Sequence, residues 1–160
     1  MEFVTLHKMV IHGLTTRTTN AAEVVAESQK IAPLWQRFMG LYGEQIINKQ
    51  PAYGVYYGYE SNMDGAYSVM AGVMADVENG GLVGDGLESI TLAPGNYLHF
   101  HAQGEMPQSV VGLWQEIWQY FAAPSCPYTR QYLTDFECYP SGDSVDIYIM
   151  SRDGCQCVSF

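Results

Sequence analysis

The sequence predicts an α+β fold: a duplicated βαββ unit with pseudo-two-fold symmetry, in which one antiparallel sheet carries two main helices. Three observations carry that expectation. Each half of the chain reads strand, helix, strand, strand. The two helix cores echo each other, LWQRF at 34–38 and LWQEI at 113–117. Between the halves lies ENGGLVGDG, residues 78–86, whose four glycines mark a loop and an internal boundary. At 160 residues a single domain over 1–160 is expected, with half-repeats at about 1–77 and 87–151 and a tail over 152–160.

The first half opens with EFVTLHKMVIHGLTTRTT, whose Val, Ile and Thr content favours a strand. A helix follows, with Asn20 as N-cap and Glu23 three residues on. Ala21, Val24, Val25, Ile31, Ala32, Trp35, Phe38 and Met39 recur at helical spacing. Pro33 kinks or restarts that helix, because proline removes an internal hydrogen bond. AYGVYYGYE and AYSVMAGVMADV then read as a hairpin across the turn-rich SNMDG. In the second half, LESITLAPGNYLHFHAQG is strand-like with a Pro-Gly-Asn break. Pro107 suits the first turn of a helix whose apolar face is Val110, Leu113, Trp114, Ile117, Trp118 and Phe121. RQYLTDFECY and SVDIYIMS, separated by PSGD, form the second hairpin.

Composition excludes some functions. Seven basic residues against 17 acidic ones give a net charge of −10, and no basic cluster exists to hold a phosphate backbone, so direct nucleic-acid binding is not expected. The partner that such a charge attracts is cationic or neutral. No run reaches the roughly 18 apolar residues of a membrane span, and Glu2 and Lys8 break the opening MEFVTLHKMVIHGL, which is therefore no signal peptide. A cytoplasmic protein with reduced thiols is expected. His99 and His101 share a strand face at a spacing zinc could use, but two surface histidines are the simpler reading. The CQC of Cys155 and Cys157 lacks complementary ligands. No metal and no cofactor is expected.

YGVYYGYESNMDGAYSVMAGV, GLESITLAPGNYLHFHAQGEMPQSVVGLWQEIW and TDFECY…DSVDIYI together resemble the GyrI-like small-molecule-binding domain, the effector-binding half of AraC-type and MerR-type multidrug-responsive transcription regulators of bacteria. The resemblance runs over roughly residues 5–151. It implies the paired βαββ units and an aromatic pocket between sheet and helices, in which a carboxylate receives lipophilic cations; Glu137 in DFECY matches that carboxylate. It begins almost at Met1, which implies a free-standing form without the helix-turn-helix module.

A lipophilic cation needs apolar contact for its rings and compensation for the hydration its charge loses. Aromatic faces and a carboxylate supply both; 12 Tyr, 3 Trp, 6 Phe and 8 Met furnish the inventory. Alternation places Asp135, Glu137 and Tyr139 on one face and Phe136 and Cys138 on the other; it sets Asp146, Tyr148 and Met150 together, and Tyr53, Val55, Tyr57 and Tyr59 opposite Gly54, Tyr56, Gly58 and Glu60. Either face of the sheet could hold the ligand. Glu137, Tyr57, Tyr59, Trp114 and Tyr148 are the expected ligand-binding residues, with Arg130 or Arg152 as the rival partner for Glu137. Non-catalytic binding of hydrophobic cations, in a monomer or homodimer, is the leading expectation. One alternative is a hydrolase of small electrophilic compounds, with Glu137 as general base and Tyr148 or Tyr57 orienting water. Another is a protein-interaction module serving a separate DNA-binding regulator.

Overall fold

A computed structural model describes residues 1–47, 50–75 and 81–153. The chain forms β1 (Glu2–Leu6), β2 (Met9–Thr18), α1 (Asn20–Glu23), α2 (Ile31–Ile46), β3 (Ala52–Tyr57), β4 (Tyr67–Met74), β5 (Glu88–Leu92), β6 (Gly95–Gln103), α3 (Gln108–Ala122), β7 (Tyr128–Ser141) and β8 (Ser144–Asp153). The eight strands make one sheet in the order β1-β6-β8-β7-β3-β4-β2-β5, antiparallel at every pairing. The order reads the same from both ends: β2-α2-β3-β4 and β6-α3-β7-β8 form equivalent halves that meet where β3 pairs with β7. The α+β, antiparallel expectation holds.

The first expected opening strand is in fact two, and the second divides beside its expected Pro-Gly-Asn break. His7 and Lys8 separate β1 from β2, and Ala93 and Pro94 separate β5 from β6. In each case the two strands lie six places apart in the sheet, about 29 Å if the sheet were flat. A two-residue link reaches at most about 11 Å. The sheet therefore curls until its two ends approach. Inside the curl, Ile11, Tyr53, Val55, Tyr97 and Phe136 form a core onto which Val4, Leu6, Met9 and Ile90 from the linked strands also pack.

The other face carries the helices. Leu34, Phe38, Tyr42 and Ile46 recur every four residues and seat α2 on β2 and β4. Leu113 and Ile117 seat α3 on β6 and β8. The first helix differs from expectation. Thr19, not Asn20, is the N-cap, its hydroxyl accepting from Ala22 N at 3.1 Å. The helix stops after one turn, and a new one starts at Ile31. Pro33 thus falls in a first turn, where its missing N–H costs nothing. The restart rotates the buried stripe, so Val24, Val25 and Met39 are exposed. Glu23 holds the break: its carboxylate accepts from the backbone N–H of Lys30 (3.0 Å) and Ile31 (3.3 Å), capping α2. The first residues of the Gly-rich loop, 78–80, and the CQC tail lie outside the described residues. Cys126 and Cys138 are free thiols.

Candidate ligand-binding site

The site is built around one irregularity in β7. Arg130 and Asp135 are an odd number of residues apart, so a regular strand would point them to opposite faces. The register of β7 against β8 shifts between them, and Tyr132 adopts φ 51° there, as at a β-bulge. The shift brings both side chains to the helix-bearing face. Regular alternation then resumes: Phe136 enters the curled core, while Asp135, Glu137 and Tyr139 face the helices.

Glu137 is 2% exposed. Its Oε1 accepts from Tyr56 Oη at 2.8 Å and Trp114 Nε1 at 2.6 Å, and its Oε2 accepts from Tyr139 Oη at 2.7 Å. All three donors are neutral. Burial pushes the carboxyl above its ordinary value, and the three hydrogen bonds only partly oppose that shift. Burial together with the Glu137 charge holds the Tyr56 and Tyr139 hydroxyls well above the phenol range, so they stay protonated donors. Room for the carboxylate comes from Gly54, its cross-strand partner. A Cβ there would stand 2.6 Å from Glu137 Oε2 and 3.1 Å from the Trp35 ring. The glycine is a vacancy that the glutamate fills.

Asp135, completely buried, has a different environment. Its Oδ2 accepts from Arg130 Nη2 (2.6 Å) and Nε (3.1 Å) and from Tyr59 Oη (2.7 Å), and its Oδ1 accepts from Met150 N (3.0 Å). Burial alone would lower the Arg130 pKa, but Asp135 and the Tyr59 hydroxyl more than offset it and leave the guanidinium above its ordinary value. Arg130 also stands over rings, 4.5 Å from the centroid of Tyr132 and 5.7 Å from those of Tyr59 and Trp114.

Above these groups, between the α1–α2 region and α3, lies a cavity of about 440 Å³, a size suited to small organic molecules. Tyr56, Tyr59 and Tyr67 rise from the sheet, Trp114, Trp118 and Val111 descend from α3, and Ile31, Val24 and Met63 close the far side. Its polar rim is Asn20, Glu23 and Arg130. Tyr67 donates to Asn20 Oδ1 at 2.8 Å, and burial pushes its hydroxyl up to about 12. Among the described residues lining or underlying the cavity, Glu23, Asp135 and Glu137 stand against the guanidinium of Arg130, a net negative balance.

Of the expected ligand-binding residues, Glu137, Trp114 and Tyr59 meet here. Tyr57 and Tyr148 do not: both pack against the curled core on the opposite face. Pairing of Phe136 with Tyr148 and of Glu137 with Ile147 fixes that separation for Tyr148, which stacks on Phe136 and His99. Tyr59 escapes the face of Tyr57 because Gly58, at φ 60°, ends the alternation. The resolved rival for Glu137 is also clear: Arg130 is taken by Asp135. His99 Nε2 and His101 Nδ1 both reach Asp146 Oδ1, at 2.6 and 2.9 Å, and among the described residues no group of side chains could hold a metal ion. Sequence reasoning overlooked Tyr56, Tyr67 and Gly54; Gly54 and Tyr56 share a face by alternation, and the register of β3 against β7 was the missing signal.

A sequence model described as Cass2, integron-associated effector binding protein, matches residues 2–150. The integron cassette protein VCH_CASS2 from the mobile metagenome of Vibrio cholerae is 36% identical, with a TM-score of 0.84, over 94% of this chain and 95% of that one. A putative bacterial transcription regulation protein from Staphylococcus aureus MU50 is 23% identical, TM-score 0.69, over 94% and 97% of the two chains. SAV2435 bound to tetraphenylphosphonium is also 23% identical, TM-score 0.67, over 94% and 93%. The last two share the fold. No curated protein matches. The resemblance to GyrI-like effector-binding domains holds over this length.

Proposed function

Since the chain belongs to the Cass2 family of integron-associated effector binding proteins, we propose that it captures aromatic or lipophilic cations in the cavity between the α1–α2 region and α3, with Glu137 as counter-charge. The observation that carries this reading is the state of Glu137: a buried carboxylate with three neutral donors and, among the described residues, no cation of its own. Hydrogen bonds satisfy its lone pairs but leave its charge uncompensated, and burying charge without compensation is costly. A cationic guest supplies what is missing.

The guest need not touch the carboxylate. Tyr56 and Trp114 each present a ring to the cavity while donating their polar hydrogen to Glu137. Donation to an anion polarises both rings, enriching their faces in electron density. Each such face attracts a cation by about 0.5–2 kcal/mol, more when water is excluded. Tyr59, Tyr67 and Trp118 add further faces without imposing a hydrogen-bond pattern, which suits a site open to several ligands. SAV2435, of the same fold, holds the lipophilic cation tetraphenylphosphonium, which supports the cationic class.

Because Trp114 and Trp118 are in the wall, titration with a quaternary ammonium dye should quench tryptophan fluorescence saturably. An uncharged isostere should bind at least about tenfold more weakly. Equal affinity would overturn the reading. Mass spectrometry of the recovered dye should find it unaltered; a hydrolysed product would favour Glu137 as a general base instead. In that case Tyr57 and Tyr148 could not orient the water, since they lie across the sheet.

A further inference from the structure

Among the described residues Arg130 is the one cationic side chain in the cavity wall, and its hydrogen bonds use only part of its fork. Nε and Nη2 both donate to Asp135 Oδ2, and Nη2 also donates to Tyr59 Oη at 3.1 Å. Among the described residues nothing accepts from the third nitrogen, Nη1. Nor is any described side-chain nitrogen or oxygen both sealed from solvent and without a partner. Nη1 therefore faces accessible space with two N–H groups free, on a side chain only 9% exposed. The guanidinium is fixed by Asp135 below it and by the Tyr132, Tyr59 and Trp114 rings around it, so its orientation needs no ligand to set it.

Trp114 ties this group to Glu137. The indole N–H donates to Glu137, and the Arg130 guanidinium stands 5.7 Å from the indole ring centre. One aromatic ligand lying against Trp114 thus has the carboxylate side and the guanidinium side within its own length.

We propose that Arg130 Nη1 is a second polar subsite that binds a neutral carbonyl oxygen of the ligand, so that the cavity selects aromatic cations carrying a carbonyl over those without one. This rests on the cation reading above and adds the acceptor half of the ligand. Charge decides for a neutral acceptor against a carboxylate. Arg130 is already neutralised by Asp135, and Glu23 and Glu137 remain nearby, so a ligand carboxylate would enter a negative field. A carbonyl takes the hydrogen bonds without that repulsion, and donors on a charged group make strong ones.

The test uses three benzyltrimethylammonium ions with one para substituent each: ethyl, acetyl or carboxylate. Burial alone favours ethyl over acetyl, because the carbonyl loses water; only a waiting donor reverses that order. Calorimetric titration of the wild-type protein should give acetyl tightest, by about five- to tenfold over ethyl, and carboxylate weakest. In Arg130→Lys, which keeps a charge for Asp135 but not the planar fork, the acetyl advantage should vanish while the ethyl ion still binds. The double variant Arg130→Met with Asp135→Asn, which removes the buried charges together, should behave likewise and decides the matter if the lysine variant does not fold. Wild-type affinity for ethyl equal to or above acetyl overturns this inference and leaves the cation reading intact. An acetyl preference that survives both variants also overturns it, assigning the carbonyl to another donor such as Trp118 Nε1. If none of the three ions binds, the cation reading fails and this inference with it.

Discussion

Asp135 and Glu137 lie two residues apart on the same face of the same strand, both buried, yet they are opposites. Asp135 has a guanidinium at 2.6 Å, a phenol and a backbone N–H. Glu137 has two phenols and an indole. The first is a closed electrostatic unit, complete without a guest. The second is solvated but not neutralised. A charge whose partner is built into the chain holds the structure together; a charge without a partner among the described residues is the one proposed to meet a ligand. The bulge at Tyr132 creates the difference by delivering Arg130 to the nearer carboxylate and leaving the farther one with no cation among the described residues.

The largest expected effect comes from breaking the closed unit. Asp135→Asn leaves Arg130 buried without its anion, which should cost about 3–5 kcal/mol of folding stability, read as a fall in urea midpoint. If the loss is below about 1 kcal/mol, the pair is not the structural element described here.

Next in size is Gly54→Ala. The added methyl meets Glu137 Oε2 and Trp35 and should cost about 1–3 kcal/mol as overpacking, while weakening cation binding because the carboxylate must move. Unchanged binding in a folded Gly54→Ala protein would mean that the position of Glu137 is not critical.

A change of pH separates binding from stability. Glu137 titrates above its ordinary 4.5 because burial disfavours its charged form. Cation affinity should therefore be full above that raised value and fall as pH drops through it. Stability runs the other way. The native state holds this proton more tightly than the unfolded state does, so the Glu137 contribution to stability grows as pH falls through the raised value, and levels off below the unfolded value near 4.5. Urea titrations of wild type and Glu137→Gln should show their stability difference shifting in favour of wild type on acidification. A difference independent of pH would contradict the assignment.

The smallest expected effect sharpens the contrast between the two faces of the sheet. Tyr57→Phe and Tyr148→Phe alter groups on the curled core side and should leave cation affinity within about twofold, below the roughly 0.5 kcal/mol that a remote substitution causes. A tenfold loss in either would place ligand contacts on that side.

The sequence made some of this legible and hid the rest for definable reasons. The halves, the two long helices and both hairpins follow from periodicity and turn residues, which are local. Glu137 and Trp114, which the family motif and the helical face mark in the sequence, stand together at the candidate site. Tyr57 and Tyr148 were expected at the site because alternation sorts residues into two faces without saying which face of one strand joins which face of the next. Only the registers Gly54↔Glu137 and Phe136↔Tyr148 settle that, and register is a long-range property. Arg130 was legible as a rival for Glu137 but not as the partner of Asp135, because the bulge between them reverses the parity that counting assumes. Pro-Gly-Asn marked the split of the second opening strand, but that of the first was hidden for a similar reason: a two-residue corner at His7 and Lys8 is explained only by a sheet that curls back on itself.

The most direct measurement compares wild type and Glu137→Gln in the same buffer at pH 8, by cation titration and by urea unfolding. The amide keeps the size of the side chain and can still accept from Tyr56 and Trp114, but it removes the charge. The account predicts a cation affinity about ten- to a hundredfold lower with folding stability equal or higher, since a buried uncompensated charge has been deleted. Unchanged affinity, or a loss of stability as large as that expected for Asp135→Asn, would contradict it.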